Sequence, residues 1–265
     1  MTFENALKKI SGFPRTNGKA SIARMALLCR YLGNPEKKLK FIHIAGTNGK
    51  GSTSAMLASI LEAAGYRVGL FTSPYIYEFN ERMRVDGENI ANDELARITE
   101  QVKPIADAMT DKPTEFELIT AIGFEFFKER KCEVVVLEAG MGGRLDSTNV
   151  IRDPLLSIIT GIALDHTAFL GDTVEKIAAE KAGIIKKGVP IVVGETQNEV
   201  EYVFLEKAKE MQAVAQLLAG NTEEAERICK ALLEDYPSDI RVLATLSAVY
   251  LEQGKDEASK EIALR

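Results

Sequence analysis

Apolar positions along this chain follow two rhythms. Unbroken apolar runs read as buried strands at Phe41-Ile42-His43-Ile44-Ala45, Tyr66–Thr72, Glu133–Glu138, Leu155–Thr160 and Val189–Val193. Between them, apolar residues recur at helical spacing in Thr2–Ile10, Ser21–Leu32, Ser54–Ala64, Asn92–Met109 and Val174–Ala182. Gly33-Asn34-Pro35 ends the second of these helices and Gly65 caps the third. Thr114-Glu115-Phe116-Glu117 fits a capping box that opens a further helix running to Glu129. Ser73–Ile90 and Gly140–Arg144 read as loops. Strands alternating with helices predict an α/β fold: a mainly parallel sheet with helices on both faces. Ligands bind such sheets at the carboxyl ends of the strands. Lys50, Ser73, Glu138 and His166 each fall just after a strand, so the fold brings them to one edge.

The rhythm changes after about Glu210. Gly220 and Gly254 stand 34 residues apart, the length of a tetratricopeptide repeat. Ala225, Pro237, Leu246 and Tyr250 occupy positions which that repeat favours. About one and a half units fit, against the ~3 that usually make a stable array. The expected division is an α/β domain over 1–210 and a helical-hairpin tail over 211–265. The tail reads either as a repeat able to dock a protein partner or as two amphipathic hairpins packed on the main domain.

Composition narrows the class. A net charge of −6 and a pI near 5.3 leave no dominant basic face and argue against a nucleic-acid partner. Cys29, Cys132 and Cys229 are too far apart for a disulfide framework or a CxxC metal site. The N-terminus, Met1-Thr2-Phe3-Glu4-Asn5, carries no leader pattern, and no apolar run approaches ~18 residues, so a cytoplasmic protein without membrane spans is expected.

Candidate chemistry concentrates where the first strand meets its helix, at Gly46-Thr47-Asn48-Gly49-Lys50-Gly51-Ser52. A glycine-rich turn opening a helix meets a triphosphate with backbone N–H groups and the positive helix end. Lys50 then neutralises charge and the Ser52 hydroxyl can reach Mg²⁺. ATP is the expected ligand. Glu138 ends an apolar strand, where a carboxylate is costly unless it is paired or bound to a cation. His166 beside Asp165 suits a metal ligand, whereas His43, inside a strand, reads as a satisfied core residue. A carboxylate, a histidine and hydroxyls suit Mg²⁺. On residue type alone, Lys181 reads as a surface lysine.

Five segments in order then resemble folylpolyglutamate synthase, a member of the Mur ligase superfamily that is often also a dihydrofolate synthase. They are LGNPEKKLKFIHIAGTNGKGST from Leu32, FTSPYIYEFNERMR from Phe71, LEAGMGGRLDSTNV from Leu137, LDHTAFLG from Leu164 and EKAGI from Glu180. The resemblance covers about Met1–Glu210. It implies that Thr47–Ser52 cradle the ATP phosphates and that Ser73, Glu138 and His166 hold Mg²⁺. It implies that Lys181 is carbamylated and supports a second metal site, and that Thr114, Glu115, Phe116 and Glu117 with Leu145, Asp146 and Ser147 line a pterin site. The implied activity is ATP-dependent joining of L-glutamate to the folate γ-carboxylate. Lys50, Lys181 and His166 are the candidate catalytic residues. The family's second, Rossmann-like domain has no counterpart here, so the expected outcome is weak Mg-ATP binding with negligible ligation. The competing reading is a nucleotide-binding pseudo-ligase or chimera whose tail is an interaction module.

Overall fold

The computed structural model describes residues 1–16, 21–194, 197–211, 215–217 and 253–263. Between the last two stretches it describes only Glu226, Lys230, Leu233, Leu243, Leu246, Ser247, Val249 and Tyr250. The central strands are β1 (Phe41–Ala45), β2 (Val68–Phe71), β3 (Met83–Val85), β4 (Glu88–Asn89), β5 (Val134–Glu138), β6 (Leu156–Ile159), β7 (Ile191–Val193) and β8 (Ala215–Leu217). They form one eight-stranded sheet in the order β4-β3-β2-β5-β1-β6-β7-β8. All neighbours run parallel except β2–β3 and β3–β4, which are antiparallel.

Helices α1 (Phe3–Ser11), α2 (Ile22–Tyr31), α3 (Lys50–Ala63), α4 (Asn92–Ala108) and α5 (Glu115–Glu129) precede β5, and α6 (Thr167–Leu170), α7 (Val174–Ala182), α8 (Glu201–Glu210) and α9 (Asp256–Ala263) follow β6. The period of two along each strand distributes the core. Phe41, Val135 and Leu137 pack with α1, α2, α4 and α5, while Ile42, Ile44, Val134 and Val136 meet Leu57, Ala58 and Leu61 of α3. A third cluster joins Ile159, Ile191 and Val193 to Ile177, Ala178 and Phe204. Every residue of β1 is buried, as a central parallel strand covered on both faces requires.

All five expected strands are present, each within two residues of its expected limits. Two segments differ. Ser73–Ile90, read as a loop, contains the β3–β4 hairpin. Asp86 and Gly87 turn it with φ of 51° and 79°, the backbone of a two-residue type I′ turn. Residues 215–217, read as the start of a helical tail, instead extend the sheet as β8 beside β7.

Gly220, Ala225 and Pro237, which carried the repeat spacing, lie outside the described residues. Leu243, Leu246, Tyr250 and Ile262 form a small apolar cluster, and Val249 joins the one under α3. Ser247 and Ser259 are buried with hydroxyls 2.8 Å apart, and α9 packs on α3. Among the described residues no helix is long and apolar enough to cross a membrane.

Candidate nucleotide site

β1 delivers the chain into Gly46–Gly49, and helix α3 begins at Lys50 rather than at Ser54. Gly49 has φ 80°, the left-handed backbone that turns the chain into the helix. A Cβ on Gly46 would sit 1.7 Å from Thr160 Oγ1, so only glycine fits there.

The loop's carbonyl groups are tied to side-chain donors. Lys50 Nζ donates to Gly46 O at 3.0 Å and to Thr47 O at 3.2 Å. Thr160 Oγ1 donates to Asn48 O at 2.6 Å. The Thr47 amide donates to Gly161 O at 2.8 Å, and its hydroxyl exchanges hydrogen bonds with Ala163 N and O, both at 3.1 Å. With these carbonyls held from behind, the loop presents the N-terminus of the 14-residue α3, the end that attracts anions. Thr160, Gly161 and Ala163 went unnoticed in the sequence because they bear no phosphate-loop pattern. Their relevance comes from β6 lying beside β1.

Two charged groups meet this loop. Lys181, on α7, is 2 % exposed and donates to Gly46 O at 2.7 Å, which overturns the residue-type reading of a surface lysine. Burial, reinforced by the neighbouring Lys50 charge, lowers its pKa to about 8. Glu138, closing β5, is buried and accepts the Ser73 amide at 3.1 Å, and its Oε2 lies 3.7 Å from where a Gly51 Cβ would be. Desolvation raises its pKa, against the Ser73 hydrogen bond and the Lys50 charge. The Ser73 hydroxyl accepts from Arg82 Nη1 at 2.9 Å, a partner not anticipated from sequence. Arg82 also lies over the rings of Tyr75 and Phe79, at 5.2 and 5.6 Å.

The charge of Asp165, the neighbour of His166, reaches Lys181. His166 holds a left-handed backbone at φ 46° before α6, with its side chain 51 % exposed and Nε2 3.7 Å from Asp165. Among the described residues, no three His, Cys, Asp or Glu side chains are grouped to hold a metal. The donors present beside the loop, a desolvated carboxylate and a serine hydroxyl, fit a hard divalent cation that takes its remaining ligands from phosphates and water.

The residues of the expected pterin wall form a second, adjoining group. Thr114 and Glu117 make the reciprocal cap of α5, and Glu117 is buried against Arg24 at 2.7 Å. Glu115 lies 3.8 Å from Arg15. The Phe116 ring stacks near Phe71 at 6.1 Å and closes on Gly140. Ser147 Oγ meets Thr120 Oγ1 at 2.9 Å, tying the 145–147 segment to α5, while Leu145 is exposed. Asp146 is buried, with Oδ1 bonded to Thr148 and Oδ2 accepting the Met141 amide at 2.9 Å. Its pKa is raised by burial. His43 is wholly buried and only half satisfied: Nε2 meets Thr148 Oγ1 at 2.9 Å, while Nδ1 has no partner among the described residues. Burial lowers the His43 pKa to about 3, so the ring is neutral.

The Mur ligase middle domain family matches residues 44–252, most of the chain and all of the loop site. The chain belongs to the Mur ligase family. Within it, the relatives include the dihydrofolate synthase/folylpolyglutamate synthase of Bacillus subtilis, 47 % identical over 82 % of this chain and 51 % of the relative. The folylpolyglutamate synthase of Lacticaseibacillus casei is 43 % identical over 73 % of this chain and 46 % of its own length. This Mur ligase chain thus spans about half the length of the curated relatives it matches. The apo L. casei enzyme superposes with a TM-score of 0.81 at 30 % identity, covering 100 % of this chain and 72 % of the other. A folylpolyglutamate synthase bound to AMPPCP and folate gives a TM-score of 0.81 at 29 % identity, over 100 % and 71 % of the two chains.

Proposed function

We propose that this chain carries the nucleotide half of an ATP-dependent ligase that adds L-glutamate to the γ-carboxylate of a folate. The observation that carries the reading is the meeting of Lys50, Lys181, Glu138 and Ser73 around one phosphate loop. The folate and nucleotide named for the related complexes support the substrate class.

The chemistry begins from a carboxylate, which resists amines because oxide is a poor leaving group. A γ-carboxylate oxygen attacks the γ-phosphorus, ADP departs, and an acyl phosphate results. The glutamate amine then attacks the acyl carbon and inorganic phosphate leaves. Lys50 and the N-terminus of α3 offset the charge on the phosphoryl group, and tied carbonyls keep that end of the helix rigid. Glu138 and Ser73 would hold Mg²⁺, which supplies further charge neutralisation along the phosphates. His166 is the remaining candidate ligand. Lys181, with its lowered pKa, holds a fraction of neutral amine near pH 8, the form that adds to CO₂ and loses a proton to give a carbamate. Phe116, Asp146 and Ser147 form the wall proposed for the pterin, whereas Thr114 and Glu117 serve it by holding α5 in place.

Positioning catalysis needs a closed cleft that excludes water, and the loop site supplies one wall. The chain is proposed to bind Mg-ATP at this wall. It is placed in the cytoplasm, where the buried free thiols Cys29 and Cys132 stay reduced. The interaction-module reading of the tail draws no support from Leu243, Leu246, Val249 and Tyr250, whose apolar side chains are already buried. The test is release of ADP and phosphate with and without folate and glutamate. ADP release by the parent that is lost in Lys50→Ala supports the reading, and turnover untouched by Lys50→Ala refutes it.

A further inference from the structure

The buried His43 ring is attached to the proposed substrate wall by a directed chain of hydrogen bonds. Asp146 receives donors on both oxygens: the Thr148 amide on Oδ1 at 3.0 Å and the Met141 amide on Oδ2 at 2.9 Å. Thr148 Oγ1 lies 2.5 Å from the same Oδ1, so the hydroxyl proton points to the carboxylate. A threonine hydroxyl has one proton to give. With that proton spent, the 2.9 Å contact from His43 Nε2 to Thr148 Oγ1 is made by Nε2–H donating. The ring nitrogen left without a proton is Nδ1, the one buried with no partner among the described residues. An unpaired buried acceptor persists where surrounding structure fixes it, and the Thr148 hydrogen bond selects the tautomer that creates it.

We infer that His43 is a positioning residue: as the Nε2–H tautomer it aims the Thr148 hydroxyl at Asp146 and thereby fixes the Gly140–Ser147 loop against the substrate wall. The chain is His43 Nε2–H to Thr148 Oγ1–H to Asp146 Oδ1. It links the centre of β1, immediately before the phosphate loop, to the loop leaving Glu138. One strand thus sets both sides of the cleft floor: Ala45 leads into the nucleotide loop, and His43 reaches the wall beside it. The importance for substrate rests on the folate reading given above, whereas the orientation of the loop does not.

The molecule has only two histidines, so the ring nitrogens of His43 and His166 can be told apart by ¹⁵N NMR of the full chain. The expected spectrum shows His43 with Nε2 protonated and Nδ1 bare, unchanged from pH 5 to pH 8. A protonated Nδ1 overturns the proposal. Thr148→Val keeps the side-chain shape and deletes the relay, while Thr148→Ser keeps the hydroxyl. Thr148→Val should mix the His43 tautomers and speed hydrogen exchange at the Met141 amide at least tenfold, and Thr148→Ser should restore both. The same pair should lower and restore folate affinity, with Mg-AMPPCP affinity unmoved in each. Equal Met141 exchange in all three proteins refutes positioning. If the parent binds Mg-AMPPCP but no folate, the substrate reading fails alone, and the tautomer and the Met141 amide still decide the role of His43.

Discussion

Lys181 and Lys50 donate to the same carbonyl oxygen, that of Gly46, at 2.7 and 3.0 Å. Two ammonium groups on one acceptor repel; Lys50 is fixed at the start of α3, and Lys181 by α7, whose Ile177, Ala178 and Ala182 pack with Ala45 and Ala139. This arrangement concentrates positive charge where a triphosphate would lie, and it keeps Lys181 poised between its charged and neutral forms.

The pH dependence of stability follows from that pair. Lys181 has a folded pKa of about 8 against an ordinary 10.5, so the unfolded chain binds more protons between those values. Stability contributed through this group therefore rises with pH over that window. In CO₂-free buffer, Lys181→Met should give a flatter profile than the parent between about pH 8 and 10 in denaturant titrations. Parallel profiles would show that Lys181 is not desolvated.

Backbone space at the loop predicts a contrast between two glycines. Gly46→Ala places a Cβ on Thr160 and should cost about 1–3 kcal/mol, as overpacking does. At Gly51 an added Cβ would lie 3.7 Å from Glu138 Oε2, an ordinary contact, so Gly51→Ala should leave stability within about 0.5 kcal/mol. Chemical denaturation of the two variants decides it, and equal effects would contradict the loop geometry.

Much of this was legible in the chain. β1, the glycine turn and Lys50 are adjacent in sequence, so local pattern sufficed. The burial of Lys181 was also written there: Ile177, Ala178, Lys181 and Ala182 share one helical face, and the lysine sits inside it. Residue type points the other way, because lysines are almost never fully buried unless paired. The β3–β4 hairpin carried its own signal in Asp86-Gly87, a turn pair flanked by Met83-Arg84-Val85. Partners such as Thr160 and Arg82 come from strand order and loop folding, which no local spacing encodes.

Glu117 separates fold from substrate binding. Its carboxylate pairs with buried Arg24 and caps α5, so Glu117→Gln should destabilise by about 3 kcal/mol, the low end for a broken buried pair since Asp111 also meets Arg24 at 3.4 Å. Calorimetric unfolding should register this loss. A variant as stable as the parent but deficient in folate binding would instead make Glu117 a ligand contact.

The role of Glu138 is tested by the metal dependence of nucleotide binding. Glu138→Gln keeps an acceptor for the Ser73 amide and removes the charge. The parent should bind AMPPCP at least tenfold (about 1.4 kcal/mol) tighter with Mg²⁺ than without, and the variant should lose most of that gap. A gap of unchanged size would exclude Glu138 as a cation ligand.

The most direct measurement is calorimetric titration of Mg-AMPPCP into the parent and Lys50→Ala. Lys50 supplies a charge-assisted donor at the mouth of α3, and its loss should weaken binding by on the order of 1–3 kcal/mol. Saturable one-site binding that falls by this amount is the predicted result, and equal binding by parent and variant would contradict the nucleotide site itself.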